Sequence, residues 1–286
     1  AEEGRPHEGP PFRMKRVAMK IAYLGSGFSG SQAQPGLRTV ESQVLEDIGK
    51  VLQTDDPGLS FSSRTDKGVN ALGNAIAFDS NMDDLLVLAK ALNSVSDGVF
   101  YRSFCEIDDE FNIRYASRRI YRYVLDGEGI DIDKASECCR LFEGEHDFFR
   151  FCRYDGKPTT LRIDSISCIP SGDCVVLEFN ARYYLWNMIR RISSAVEAVG
   201  KGKRSLYDVQ AALNGKDVSF GVGRPDALTL QDVQYDMLSF TEADPKAIQA
   251  RRKEHVMDES LRLEFYKALR CISNKYAPPN PEPWAY

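Results

Sequence analysis

Ser62-Ser63-Arg64-Thr65-Asp66-Lys67-Gly68-Val69-Asn70-Ala71 is a charged, tight segment set between two apolar runs, Leu59 to Phe61 and Ala75 to Phe78, that read as strands. It holds a carboxylate between two cations and closes its turn on glycine. Flanking cations favour a carboxylate in its charged form, which makes Asp66 a candidate nucleophile, base or charge stabiliser. The competing reading is an ordinary hairpin, with Asp66 capping the turn, Gly68 at positive φ and the cations in solvent.

Working outward, Val17, Met19, Ile21 and Tyr23 alternate with Arg16, Ala18, Lys20 and Ala22, the pattern of a strand with one apolar face. The glycine loop Gly25 to Gly30 follows, but it lacks the endings and spacings of nucleotide-binding loops. Thr39 can cap a helix with Val40, Val44, Ile48 and Val51 at helical spacing. A second helix is expected from Asp83 to Asn93, and a strand from Val99 to Ile107. Strand and helix in this order fit a mixed sheet covered by helices on one face, as in ferredoxin-like modules.

Beyond Glu110 a second half begins. Ile120 to Leu125 is a strand with Tyr121, Tyr123 and Leu125 on one face and Ile120, Arg122 and Val124 on the other. A helix from Asp133, strands near Thr160 to Ile169 and Cys174 to Ala181, and a helix from Leu185 to Val199 follow. That last helix has Leu185, Met188, Ile189, Ile192, Val196 and Val199 as its buried stripe and Gly200 as its stop. Arg190 lies about 100° round from Ile189, at the stripe's edge, whereas Arg191 lies about 200° round and should face solvent.

The chain has 286 residues, 43% hydrophobic and 28% charged, which is enough for one large domain or two ordinary ones. No apolar run approaches the roughly 20 residues that cross a bilayer, so no membrane role is expected. The start, AEEGRPHEGPPFRMKR, has no signal-peptide core, and seven scattered cysteines without a CxxC pair suit a reducing cytoplasm. A nuclear or organellar location stays open. Cys168 and Cys174 flank a turn and could face each other across a hairpin, but two buried thiols are expected there rather than a bridge. Three histidines, none beside a cysteine pair, give no metal site. The net charge of −5 argues against indiscriminate coating of nucleic acid, yet two runs are basic: Arg114, Arg118, Arg119 and Arg122, then Arg182, Arg190, Arg191, Lys201, Lys203 and Arg204.

RTDKGVNALGNAIAF, from Arg64 to Phe78, resembles the signature of the tRNA pseudouridine synthase A family, close to GRTDxGVHA. Ser63 stands where glycine is common and Asn70 where histidine is common. The YRY of Tyr121 to Tyr123 is similar to the family's RxYRY, though the segment from Phe111 is one residue shorter than usual, which leaves Tyr121 and Tyr123 both in play. YLWNMIRRISSAVEAVG resembles FLxNMVRNIVGxLxxVG and aligns the family's arginine with Arg190. The segment Glu143 to Phe148 resembles GxHDF, with His146 read as satisfying a turn, and Arg224 to Tyr235 resembles the closing APAxGLxLxxVxY. GFSGSQAQ departs from FxGWQxQ by carrying Ser31 in place of tryptophan.

The resemblance covers roughly residues 15 to 240. It implies an α+β pseudouridine synthase fold: two ferredoxin-like halves, 15–109 and 110–240, with a joined mixed or antiparallel sheet, helices on one face and an active-site cleft between the halves. Residues 1–14 should be extended or disordered, and 241–286 form a helical extension of unassigned role. The implied activity is a cofactor-free isomerase that turns uridine into pseudouridine in the tRNA anticodon stem-loop, at positions 38 to 40. Asp66 is then the catalytic carboxylate, Tyr121 the base-stacking ring and Arg190 the positioning cation. Arg64, Arg118, Arg119, Arg122 and Arg191 are candidates for RNA contact. The implied partners are tRNA and a second copy of the chain, in a homodimer. The alternatives are an RNA-binding relative without the chemistry or a synthase acting at another RNA position. A glycosidase would need two facing carboxylates, and only Asp66 has a distinctive setting.

Overall fold

Alternation of apolar residues builds the first strand, β1 (Lys15–Tyr23), and a capped amphipathic stretch builds the first helix, α1 (Val40–Leu52), in a computed structural model that describes residues 14–275. The expected extended segments at 1–13 and at the PPNPEPWAY end lie outside the described residues. Thr39 caps α1 as its sequence predicts: the side chain accepts from Ser42 N, while Thr39 N donates to Ser42 Oγ at 2.9 Å. This reciprocal pair satisfies two of the donors that every helix start leaves open.

The chain continues through β2 (Ser60–Phe61), β3 (Asn70–Ser80), α2 (Leu85–Val95) and β4 (Val99–Ile107). The second half runs β5 (Arg118–Asp126), α3 (Ile132–Arg140), β6 (Gly144–Asp147), β7 (Thr160–Ile163), β8 (Ser165–Ser171) and β9 (Cys174–Ala181). It closes with α4 (Met188–Gly200), α5 (Leu206–Leu213), β10 (Leu228–Gln234) and β11 (Thr241–Glu242). Residues 244–286 form a separate compact unit, in which α6 (Pro245–Lys275) is described.

The main sheet has the order β11-β4-β1-β3-β10-β5-β9-β8, with β2 on β3. Its pairings are antiparallel except where β10 meets β3, so the α+β class with a mixed sheet is as expected. Strand β10 is the seam: Thr229 and Leu230 pair with Asn70 and Ala71 on one side, and Leu228 and Leu230 with Tyr123 and Tyr121 on the other. Helices α1 and α2 pack together by β4, while α3 packs on β8 and α4 on β5.

On β5 the expected two faces are realised, with Tyr121, Tyr123 and Leu125 buried and Arg118, Arg122, Val124 and Asp126 exposed. On β1 the alternation underestimates burial, because the Ala18, Lys20 and Ala22 face is covered as well. Lys20 lies under the Phe240 ring and pairs with Asp232, and burial pulls its ammonium below the usual lysine range.

Helix α4 begins three residues later than its pattern suggests. Asn187 adopts a left-handed conformation at φ 61°, which breaks the helix path at Leu185 to Asn187. Asparagine tolerates that region better than most residues. Gly200 is still helical; its missing Cβ lets Ile130 approach, since a Cβ there would stand 3.0 Å from Ile130 Cγ2. Cys168 pairs across the hairpin with Leu177 and Cys174 with Ser171, so the two thiols do not face each other, and both are free.

Candidate active site

The Asp66 loop is held on several sides by hydrogen bonds. Thr65 N donates to Ser31 Oγ at 2.8 Å, and Ser31 N donates to Thr65 O at 3.0 Å. Tyr23 and Thr65 share a hydroxyl hydrogen bond at 2.9 Å, and Asn74 Nδ2 donates to Ser63 O at 2.9 Å. Asn70 bridges two neighbouring loops, accepting from Gly25 N and donating to Asp226 O, each at 2.9 Å. Gly68 sits at φ 86° with Pro225 packed against its α-carbon, a site that a side chain would strain and crowd.

From the other half comes Arg119, only 9% exposed. Its Nε donates to Ser63 Oγ at 2.8 Å, Nη2 to Ser62 O at 3.1 Å and Arg114 O at 2.9 Å, and Nη1 to Arg182 O at 2.5 Å. The fork geometry of guanidinium suits such a many-sided clamp, and every nitrogen is occupied by protein oxygen. This corrects the expectation of an RNA-facing arginine: Arg119 braces the loop. Strand alternation does place Arg119 on the buried face of Tyr121 and Tyr123; its partners on other segments are what the sequence does not show.

Asp66 meets Arg190, whose Nη1 lies 3.5 Å from Asp66 Oδ2. The partner cation thus comes from α4 in the second half, while the adjacent Arg64 and Lys67 are exposed. Asp66 is about one-third exposed, and Arg190 is more enclosed. Arg190 is held in turn, with Nε donating to Gly223 O at 2.7 Å and Nη1 to Asn187 Oδ1 at 3.0 Å. The left-handed turn at Asn187 therefore also orients the arginine.

Tyr121 is 7% exposed and packs edge-to-face on Tyr184, ring centroids 5.2 Å apart. Burial pushes its hydroxyl well above the usual tyrosine range; Arg119 opposes the rise, and Tyr23 and Asp66 add to it. Tyr123 is raised by burial too, but its neighbours are Glu197, Arg190 and Arg224, and its hydroxyl fills the space beside Gly223. Of the two tyrosines, Tyr121 is the one that feels the Asp66 charge, whereas Tyr123 feels that of Arg190.

The remaining basic candidates do not gather here. Arg118 and Arg122 leave the opposite face of β5, and Arg122 Nε donates to Glu178 Oε2 at 2.7 Å. Arg191 is half-buried rather than solvent-facing, with its Nε enclosed and its charge acting on Cys152. His146 Nε2 bonds Glu143 O at 2.9 Å, the turn role expected of it. Among the described residues no cluster of three or more His, Cys, Asp or Glu side chains could hold a metal, and no helix is long and apolar enough to cross a membrane.

Comparison with known proteins sets the class. Residues 138–236 match a family described as "tRNA pseudouridine synthase", so the second half, with α4 and the seam strand, is that of a pseudouridine synthase. The tRNA pseudouridine synthase A of Pyrococcus abyssi is 36% identical over 245 residues, covering 84% of this chain and 91% of the relative. That of Pyrococcus furiosus is 38% identical over 237 residues, covering 79% and 85%. A chain of a Cbf5-Nop10-Gar1 complex aligns more loosely, at 17% identity and a TM-score of 0.34 over 64% of this chain and 45% of that one. The chain belongs to the tRNA pseudouridine synthase A family.

Proposed function

We propose that this protein is a tRNA pseudouridine synthase that isomerises uridines of the anticodon stem-loop, with Asp66 as its reacting carboxylate. The reaction breaks the bond between N1 and C1′, turns the uracil and joins C5 to C1′; the proton lost from C5 balances the one gained at N1. No atoms are added, so the protein's task is to extrude a base, hold it and stabilise charge at the sugar and ring.

The observation that carries this reading is the meeting of Asp66 and Arg190 across the two halves, with the buried Tyr121 within reach of the Asp66 charge. Arg190 engages Oδ2, and Oδ1, which has no partner among the described residues, is the oxygen offered to the nucleoside. Tyr121 stays a neutral phenol under its raised pKa and supplies a face for the extruded uracil. Arg64, exposed beside Asp66 on the same loop, is suited to fill the space that the base vacates. Binding of the tRNA rests on phosphate contacts, which set register without reading sequence. The protein works in the cytoplasm as a homodimer, with one tRNA held across both subunits.

The test is incubation of the purified protein with undermodified tRNA, followed by mapping of pseudouridine. Asp66→Asn is expected to form no product while binding tRNA as tightly as the parent. Substantial product from that variant would sink the assignment of Asp66, and product outside the anticodon arm would sink the choice of substrate position.

A further inference from the structure

Phe149, Tyr154 and Trp186 expose 46%, 58% and 42% of their surface on neighbouring segments of the second half. Phe149 and Tyr154 pack on each other, ring centroids 5.5 Å apart, while Arg153 lies over Trp186, its guanidinium carbon 3.9 Å from the centroid of that ring. The Arg153 backbone N–H also donates to Trp186 O at 2.8 Å, so main chain and side chain fix the pair together. A cation this close to an indole face is held flat against it. The guanidinium makes no hydrogen bond or ion pair with any described residue, and the nearest acid in sequence, Asp155, is taken by Lys157 at 3.1 Å. A planar cation is thereby presented to solvent with its outer face open.

The position of the pair matters as much as its chemistry. Trp186 immediately precedes Asn187, whose Oδ1 holds Arg190 against Asp66. Adjacent α-carbons are 3.8 Å apart, so the platform is one residue from the brace of the catalytic carboxylate. RNA recognition of splayed loops uses such surfaces, stacking unpaired bases on aromatic rings and on arginine planes. Resting on the function proposed above, we propose that the outer face of Arg153, backed by Trp186, is a stacking subsite for an unpaired base next to the uridine being isomerised. Every base has a π-face, so the subsite tolerates different flanking nucleotides.

Arg153→Ala and Trp186→Ala are expected to raise KM for undermodified tRNA about tenfold at unchanged kcat, in line with the loss of one base stack. Trp186→Phe should restore most of the loss, whereas Arg153→Lys, which keeps the charge and loses the plane, should not. Both side chains are exposed, so thermal melting should match the parent. A second readout uses tRNA carrying 2-aminopurine at single unpaired positions of the anticodon loop, bound to the Asp66→Asn protein. One position should be quenched on binding, and the quenching should vanish with Arg153→Ala. Full recovery by Arg153→Lys, parental KM in both alanine variants, or no quenched position would overturn the subsite. A parent protein that forms no pseudouridine would instead overturn the function on which the subsite rests.

Discussion

Arg119 donates from all three of its nitrogens to oxygens of four residues, Ser62, Ser63, Arg114 and Arg182, on two loops and an adjoining strand end, and that sharing fixes where the Asp66 loop sits. Arg119→Lys keeps the charge but replaces a fork with a single ammonium. It should destabilise the protein by roughly 3 kcal/mol, the scale for breaking a buried charged network, and lower kcat more than it changes KM; urea unfolding and steady-state kinetics on tRNA check both. The residues that depart from the family pattern belong to the same bracing: Ser31 bonds Thr65, Ser63 receives Arg119, and Asn70 links the Gly25 and Asp226 loops. In the sequence they read only as absences of tryptophan, glycine and histidine, because a hydrogen bond between segments 30 or more residues apart leaves no local pattern. Asp47 offers a test of pH. Burial raises its carboxyl above the usual range, against the hydrogen bonds donated by Gln43 and Tyr101. The folded state therefore holds this proton more tightly than the unfolded chain, and the group's contribution to stability is present at low pH and lost as pH rises through the raised value. Between about pH 4 and pH 7 the stability difference should move in favour of Asp47→Asn, as urea midpoints at several pH values would show.

At the scale of elements, strands and amphipathic helices were legible because each repeats a period set by its own backbone. The apolar positions of β5 and most of those of α1 follow from spacing, although Val51 is only half-buried and the polar Gln43 and Asp47 join the buried face of α1. The start of α4 was not legible, since Leu185 continues the helical spacing while Asn187 leaves the helical path to hold Arg190. Nor was the bulge in β10 between Leu230 and Asp232, which turns Asp232 to the face that carries Lys20. The loop before β10 is tied to α4 by reciprocal bonds, Gly223 N to Arg190 O at 3.1 Å and Arg190 Nε to Gly223 O at 2.7 Å. A Cβ at Gly223 would stand 2.2 Å from the Tyr123 hydroxyl oxygen, on a ring with no room to retreat. Gly223→Ala should cost about 1–3 kcal/mol as an overpacking change and lower kcat by loosening Arg190. Unchanged kcat in a folded variant would show that Arg190 does not depend on this loop.

For the whole molecule, the meeting of Asp66 and Arg190 across two halves could be anticipated only through family resemblance, because no local rule brings residues 124 apart into contact. The spread of the basic residues along β5, by contrast, follows from strand alternation. Arg118 and Arg122 point away from the face of Tyr121, and Arg119 is buried, so the run from Arg114 to Arg122 is no single RNA-binding patch. With the cations scattered over an acidic protein, the expected mode is recognition of the overall tRNA shape. Full-length tRNA should be modified far better than the isolated anticodon stem-loop, with KM rising steeply as salt increases. Equal kcat/KM on the two substrates would contradict recognition by shape.

Strand β10 also bears on how the protein is made. The edge of β3 is complete once Ser80 has left the ribosome, but its parallel neighbour, beginning at Leu228, is translated well over a hundred residues later. At roughly 5–20 residues per second this is a delay of about seven to thirty seconds. Over that interval an apolar strand carries unpaired backbone groups, the feature that makes sheet edges adhesive. The nascent chain thus depends on late synthesis for its seam and for Arg190 alike, and a product that stops short of Leu228 has an Asp66 loop with no closed sheet to hold it.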